Sequence, residues 1–208
     1  MYPISFEADA ALEGRNRLTT FFRSLVAIPW VIVASLYGIG AGVAAIIAWF
    51  AIVFTGRYPE GLYNFNAGYL RMASRVGAFH SLLTDEWPPF NGEENPQYPV
   101  GIGVAPPLGE YNRMKTLFRV IVGIPVYLLA IVQQLILSVC VIIAWFAILF
   151  TGRLGEGLFN PIRSAVAYLT RETGYFLLIT EDWPPFSLEE VGTAPSGQIS
   201  QEAESRRT

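Results

Sequence analysis

The sequence predicts an all-α membrane protein with a minor β component. It should contain two tandem helical-hairpin repeats giving four transmembrane helices, amphipathic interfacial helices and a short cytoplasmic β-ribbon. Three observations predict this. The chain overlays on itself at a fixed shift, as Phe22 on Phe118 (118 − 22 = 96). Each copy contains a stretch of 33 residues, 24–56 and 120–152, without Asp, Glu, Lys, Arg or His. Basic residues gather at both ends of each stretch. The whole chain agrees: of 208 residues 52% are hydrophobic and only 15% charged, against about 25% in a soluble domain. With 14 Lys+Arg against 17 Asp+Glu the net charge is −3, which excludes a nucleic-acid partner. One Cys cannot form an intrachain disulfide, and one His leaves no residues for a His-based metal site or triad.

The overlay needs no gap. Tyr2-Pro3 meets Tyr98-Pro99, Asn16-Arg17 meets Asn112-Arg113, and Trp87-Pro88-Pro89-Phe90 meets Trp183-Pro184-Pro185-Phe186. Residues 2–90 and 98–186 share 35 identities in 89 positions, and 46–64 and 142–160 share 15 in 19. This is a duplication. Two copies are too few for a solenoid, so a pseudo-symmetric pair is expected. The predicted division is a first membrane repeat over 1–90, a polar linker over 91–97, a second membrane repeat over 98–186 and a disordered acidic tail over 187–208.

A helix crosses the hydrocarbon core in about 20 apolar residues. A straight helix of the full stretch would rise roughly 50 Å, more than one crossing needs. The flanks favour two crossings. Arg15, Arg17 and Arg23 precede the first stretch and Arg57 follows it; Arg113, Lys115 and Arg119 precede the second and Arg153 follows it. Basic residues mark the cytoplasmic side, so both ends of each stretch want the same side and each reads as a hairpin. The turns are placed at the glycine-rich 38–42 and at Gln133-Gln134; one long bent helix per stretch is the alternative. Gly38 and Gly42 also match a helix-packing spacing, with the turn favoured. Pro29 and Pro125 should kink the first helix of each hairpin. Asn16 and Asn112 suit N-caps, and Thr55-Gly56-Arg57 and Thr151-Gly152-Arg153 read as helix ends. Residues 1–14 are acidic, without the basic start of a cleavable signal. The expected location is the plasma membrane, multi-pass, with both termini cytoplasmic.

Apolar residues at Leu62, Phe65, Tyr69, Met72, Val76, Phe79 and Leu83 alternate in steps of three and four, the pattern of an amphipathic helix. Residues 158–179 repeat it less cleanly, with Pro161 and Glu172 in place of Phe65 and Val76. Both helices are expected to lie at the cytoplasmic interface or to cap the hairpins. Residues 4–6 and 100–104 alternate with period two and are expected as short strands pairing with each other.

Two groups carry candidate chemistry. Arg17, Arg23, Arg57 and Arg75 recur as Arg113, Arg119, Arg153 and Arg171. They bind lipid phosphate, which guanidinium pairs with bidentately, or they set topology and anchor helix ends, the reading the residues favour. Asp85, Trp87, Pro88 and Pro89 recur as Glu181, Trp183, Pro184 and Pro185, an interfacial anchor in which Trp seeks the headgroup region. His80 reads as a polar interfacial residue and Cys140 as a small packed one. No cofactor or metal is implied.

These motifs resemble a known family. Tyr-Pro, then Arg17 and Arg23 leading into Ile28-Pro29, the stretch from Trp49 to Arg57, Glu60-Gly61-Leu62 and Trp87-Pro88-Pro89-Phe90, each with its counterpart in the second copy, are similar to the bacterial membrane proteins catalogued as domain of unknown function 4389. The resemblance implies a bacterial integral membrane protein and supplies neither an activity nor a site. The expected function is therefore non-catalytic: an envelope protein binding membrane lipids, a membrane-protein partner or a second copy of itself. A channel or transporter subunit with Gln133 and Gln134 as its polar lining is one alternative. An enzyme acting on lipid-linked substrates through Asp85, Glu86, Glu181 or Asp182 is another.

Overall fold

The computed structural model describes residues 2–185; Phe186 and the tail expected over 187–208 lie outside the described residues. The order is β1 (Ile4–Ala8), α1 (Arg17–Val26), α2 (Ile28–Thr55), α3 (Glu60–His80), β2 (Val100–Val104), α4 (Arg113–Leu117), α5 (Arg119–Val122), α6 (Ile124–Thr151) and α7 (Glu156–Phe176). The caps follow the residue types. The Asn16 side chain accepts from the Thr19 amide, and that of Asn112 from the Met114 and Lys115 amides. Gly56 and Gly152 close α2 and α6 at φ 75° and 71°, a left-handed conformation that glycine adopts without a Cβ penalty.

The hairpins are not formed. Each apolar stretch holds one uninterrupted helix of 28 residues, so among the described residues two helices, not four, are long and apolar enough to cross a membrane. The glycines taken as a turn lie inside α2, where their missing side chains admit aromatic rings from α3. A Cβ on Gly38 would meet the Tyr69 hydroxyl at 2.9 Å, and one on Gly40 would meet Phe65 at 3.2 Å, whereas Gly42 has nothing within 4 Å. Gln133 and Gln134 are good helix formers and sit mid-helix in α6. The prolines do not kink these helices from within. Pro29 and Pro125 occupy the first turns of α2 and α6, where their missing amide costs no hydrogen bond, and the break falls just before them.

The helices expected at the interface form the middle of the molecule. α3 buries Tyr63, Leu70, Met72 and Phe79, and α7 buries Phe159, Ile162, Val166 and Tyr175. Helices α3 and α7 pack on each other, α2 packs on α3 and α6 packs on α7. The expected ribbon lies against this central pair, β1 on α7 and β2 on α3. At the centre a Cβ on Gly174 would meet Ile4 Cδ1 at 2.2 Å and Leu70 Cδ2 at 3.2 Å, so the glycine lets side chains of β1 and α3 pack closely on α7. The layers are thus ribbon, α3 with α7, then α2 with α6.

The ribbon's register places Phe6 opposite Ile102, Ile4 opposite Val104 and Ala8 opposite Val100. Since 6 + 96 = 102, the pseudo-dyad relating the repeats passes between Phe6 and Ile102. The repeats exchange contacts across it. Arg15 N–H donates to the Gly152 carbonyl (3.1 Å) and Tyr111 N–H to that of Gly56 (2.8 Å). Trp49 Nε1 donates to the Thr116 carbonyl (2.8 Å) and Trp145 Nε1 to that of Thr20 (3.0 Å). The predicted units 1–90 and 98–186 are therefore repeats in sequence whose described residues share one interior.

Candidate functional site: arginines around an apolar face

The outer faces of α2 and α6 set the chemistry. Along α2 a narrow stripe turns inward, through Ala41, Ala44, Ala48 and Ile52. The opposite face carries Ile32, Leu36, Ile39, Val43, Ile46, Phe50 and Phe54, all exposed, Phe54 by 73%. Their steps of three and four keep them on one side of the helix. α6 repeats the arrangement, ending at Phe150, 77% exposed. α1 adds Leu18, Phe21, Phe22 and Leu25, and Phe21 stacks on Trp145 of α6 at 6.0 Å. A soluble monomer seldom exposes a contiguous apolar patch beyond a few hundred Å². An apolar groove of about 360 Å³ opens beside this face, lined by Ala45, Ile46, Trp49, Phe50, Val120 and Phe176 among others.

The eight predicted arginines divide into two kinds. Arg17, Arg57, Arg113 and Arg153 are exposed. They gather in two clusters related by the dyad. The Arg113 guanidinium lies over Gly56, beside Arg57, and that of Arg17 lies over Gly152, beside Arg153. Glu13 stands 3.8 Å from Arg153, with both side chains largely exposed, a pairing that contributes little.

Arg23, Arg75, Arg119 and Arg171 are buried, at 3%, 1%, 4% and 4% exposure, and the lipid-phosphate reading does not fit their positions. They act inside the fold. Arg23 donates to the Thr84 carbonyl (2.8 Å), the Phe79 carbonyl and Asp85, and stacks 4.5 Å over the Phe79 ring. Arg119 donates from Nε to the Tyr175 carbonyl (3.1 Å), also reaches the Thr180 carbonyl, and stacks 3.7 Å over Tyr175. The Phe79 and Tyr175 carbonyls lie in the last turns of α3 and α7 and those of Thr84 and Thr180 just beyond, on either side of Leu82 and Leu178, which adopt φ of 66° and 64°. A left-handed leucine is strained, and the guanidiniums hold the backbone around it. Burial pushes the Arg23 guanidinium down to about 10, with Asp85 the largest opposing influence, which leaves it charged at neutral pH. Arg75 lies 5.9 Å from the Tyr98 ring centroid and lines a 250 Å³ cavity with Ser5, Glu7 and Glu94. Arg171 lies 5.5 Å from that of Tyr2.

The sequence reading missed Arg15. It is buried, donates to the Leu82 carbonyl at 2.6 Å and lies 3.1 Å from Asp85. Nothing in the repeat singled it out, because its counterpart is Tyr111. Asp85 also accepts from the Asn16 amide at 3.0 Å, so both its oxygens are engaged. Glu181 accepts from the Asn112 amide. Glu86 and Asp182 are exposed. Within the Trp-Pro-Pro motifs Pro88 and Pro184 are buried and both Trp side chains about half exposed. Trp30 is stacked between Trp87 and Phe90, 4.8 Å from each, and donates to the Pro88 carbonyl at 2.6 Å. His80 and Gln134 are exposed and border a 260 Å³ cavity between α3, α6 and α7. Gln133 and Cys140 are half-buried. Among the described residues no three His, Cys, Asp or Glu side chains cluster so as to hold a metal ion.

The sequence model of a family described as a domain of unknown function (DUF4389) matches residues 17–91 and again 113–187. No curated protein matches the chain, and no solved structure does.

Proposed function

Because the chain belongs to the DUF4389 family, with two copies of that domain in tandem, and a domain of unknown function supplies no activity, we propose that it is a membrane-embedded, non-catalytic protein of the bacterial plasma membrane that binds anionic lipid. The observation that carries this reading is the outward face of α2 and α6. Both helices average hydropathies above 2 while burying only 17% of their most apolar window. A soluble core helix of that hydropathy turns its large side chains inward. The exposed Arg17, Arg57, Arg113 and Arg153 ring this face and are the groups positioned to meet lipid phosphate. A basic rim of this kind favours the cytoplasmic leaflet, which supports a reading in which the ribbon side faces the cytoplasm.

Vesicle flotation tests it. The protein should float with phosphatidylglycerol-containing vesicles more than with pure phosphatidylcholine. A basic residue near an anionic surface contributes about 1 kcal/mol, so each Arg→Ala change among the four should weaken the preference by roughly fivefold at low salt. Equal flotation with both lipids would remove the lipid reading. A stoichiometric co-purifying membrane protein, or a detergent-stable homodimer, would then make the same face a protein interface.

A further inference from the structure

We infer that α2 and α6 lie in the plane of the membrane, embedded in one leaflet, and do not cross it; this rests on the lipid-binding reading above. Three independent observations converge on it.

The first is what covers α2. The first half of its inner side is covered by segments that carry exposed charge. Near the start Trp30 meets Trp87 and Phe90. Towards the middle Tyr37 and Gly38 meet Tyr69, and the Tyr37 hydroxyl lies 2.6 Å from a Cβ built on Gly68, beside Gly92. Directly next to these residues Arg71 pairs with Glu94 at 2.8 Å, with the Glu94 side chain 71% exposed. Asn91 and Glu93 are exposed alongside. If α2 ran along the membrane normal, this patch of exposed acids would sit near the depth of the hydrocarbon core, where carboxylates are costly, and the irregular backbone around Gly92 would face lipid. With α2 in the plane, all of it lies on the water side.

The second is the dyad. It passes through the ribbon between Phe6 and Ile102 and relates α2 to α6. The segment leading into α2 is held at the C-terminal end of α6 (Arg15 to Gly152) and that leading into α6 at the C-terminal end of α2 (Tyr111 to Gly56), so the two helices run antiparallel. For two antiparallel crossing helices the dyad would lie at mid-bilayer, taking Ser5, Glu7 and the Arg75 cavity to that depth. For two in-plane helices it coincides with the membrane normal and the ribbon becomes the cytoplasmic crown.

The third is charge. The Arg17–Arg153 and Arg57–Arg113 clusters mark opposite ends of the apolar layer. A crossing would send one of them to the far side, against the bias that retains basic flanks in the cytoplasm. In the plane, symmetry sets both at one height, at the headgroups. An amphipathic helix so placed sinks about 5–10 Å into the boundary between headgroup and acyl chain.

The experiment uses the full chain in bacterial membranes, comparing spheroplasts with inverted vesicles and an impermeant maleimide. In a Cys140→Ala background, Glu13→Cys and Glu60→Cys bracket α1 and α2 and should both react only in inverted vesicles, while Ile39→Cys reacts in neither. Reaction of the two bracketing sites from opposite sides would establish a crossing helix and overturn the inference. Reaction of Ile39→Cys from the outside would overturn it in favour of a hairpin. A second readout needs no substitution. A nitroxide on the native Cys140, in the middle of α6, should report a depth just below the headgroups; a bilayer-centre depth would overturn the proposal. Nitroxides at Ile32 and Phe54, 22 residues apart, should share that depth, whereas a crossing helix would separate them by about 33 Å. Protein that washes off membranes entirely would instead remove the lipid-binding reading itself.

Discussion

The two repeats carry one backbone turn and hold it with different chemistry. In the first, the left-handed Leu82 sits among carbonyls taken by Arg15 and Arg23, with Asp85 between the two cations. In the second, Leu178 has the same conformation, but Tyr111 replaces Arg15, Arg119 serves the carbonyls, and the Tyr58 hydroxyl donates to Leu177 from the other repeat (3.0 Å). The Trp motifs diverge likewise: Trp30 clasps the first, while Val126 stands at the equivalent place in the second. What persists is the requirement that buried carbonyls be satisfied; the donor that meets it has drifted.

The largest test of this contrast is Asp85→Asn against Glu181→Gln. Removing the carboxylate leaves two buried guanidiniums uncompensated, a change that costs about 3 kcal/mol. At Glu181 the glutamine carbonyl still accepts from the Asn112 amide and only the charge assistance is lost, a change of about 1 kcal/mol or less. Thermal unfolding in detergent should separate the two variants by that margin, and equal losses would show that the repeats are held alike. Next is Trp30→Val, which gives the first repeat the residue of the second. It should lose about 2 kcal/mol from packing and one hydrogen bond, with a shift in the emission of Trp87. The reverse comparison concerns what the repeats share. Trp49→Phe and Trp145→Phe each remove one symmetric cross-repeat bond, and their unfolding midpoints should fall together, by about 1 kcal/mol each. The smallest effect lies at Glu172, where the first repeat has Val76. Burial raises the Glu172 carboxyl above its ordinary 4.5, so the folded chain binds this proton more tightly than the unfolded one. The residue therefore does not destabilise below pH 4.5 and does so increasingly as pH rises through the folded value. Glu172→Gln should stabilise the protein at neutral pH and leave it unchanged in acid, as read from unfolding midpoints across pH.

Much of the architecture was legible in the sequence because it rests on local rules. Asn16 and Asn112 cap, Gly56 and Gly152 terminate, the period of α3 sets its buried face, and period-two alternation marks the ribbon. The hairpins failed for a physical reason. Glycine at 38, 40 and 42 signals equally a turn and a surface that another element approaches closely, and only the presence of Tyr69 and Phe65 decides between them. Basic flanks at both ends of each stretch suggest a shared side, and a helix lying flat, as proposed above, meets that condition as well as a hairpin does. The division of the arginines was invisible, since duplication copies buried and exposed residues alike. Arg15, the residue without a copy, proved as deeply placed as any of them.

The exchange of contacts across the dyad sets a timetable. Among the described residues β1 pairs with β2 alone, and the Thr20 carbonyl waits for Trp145. At about 5–20 residues per second, the 96 residues separating one strand from the other take roughly 5–20 s to synthesise. Throughout that interval the first repeat exists with an unpaired strand edge and half of its interior open. The newborn chain must therefore be sheltered, by bilayer or by chaperone, until its second half arrives.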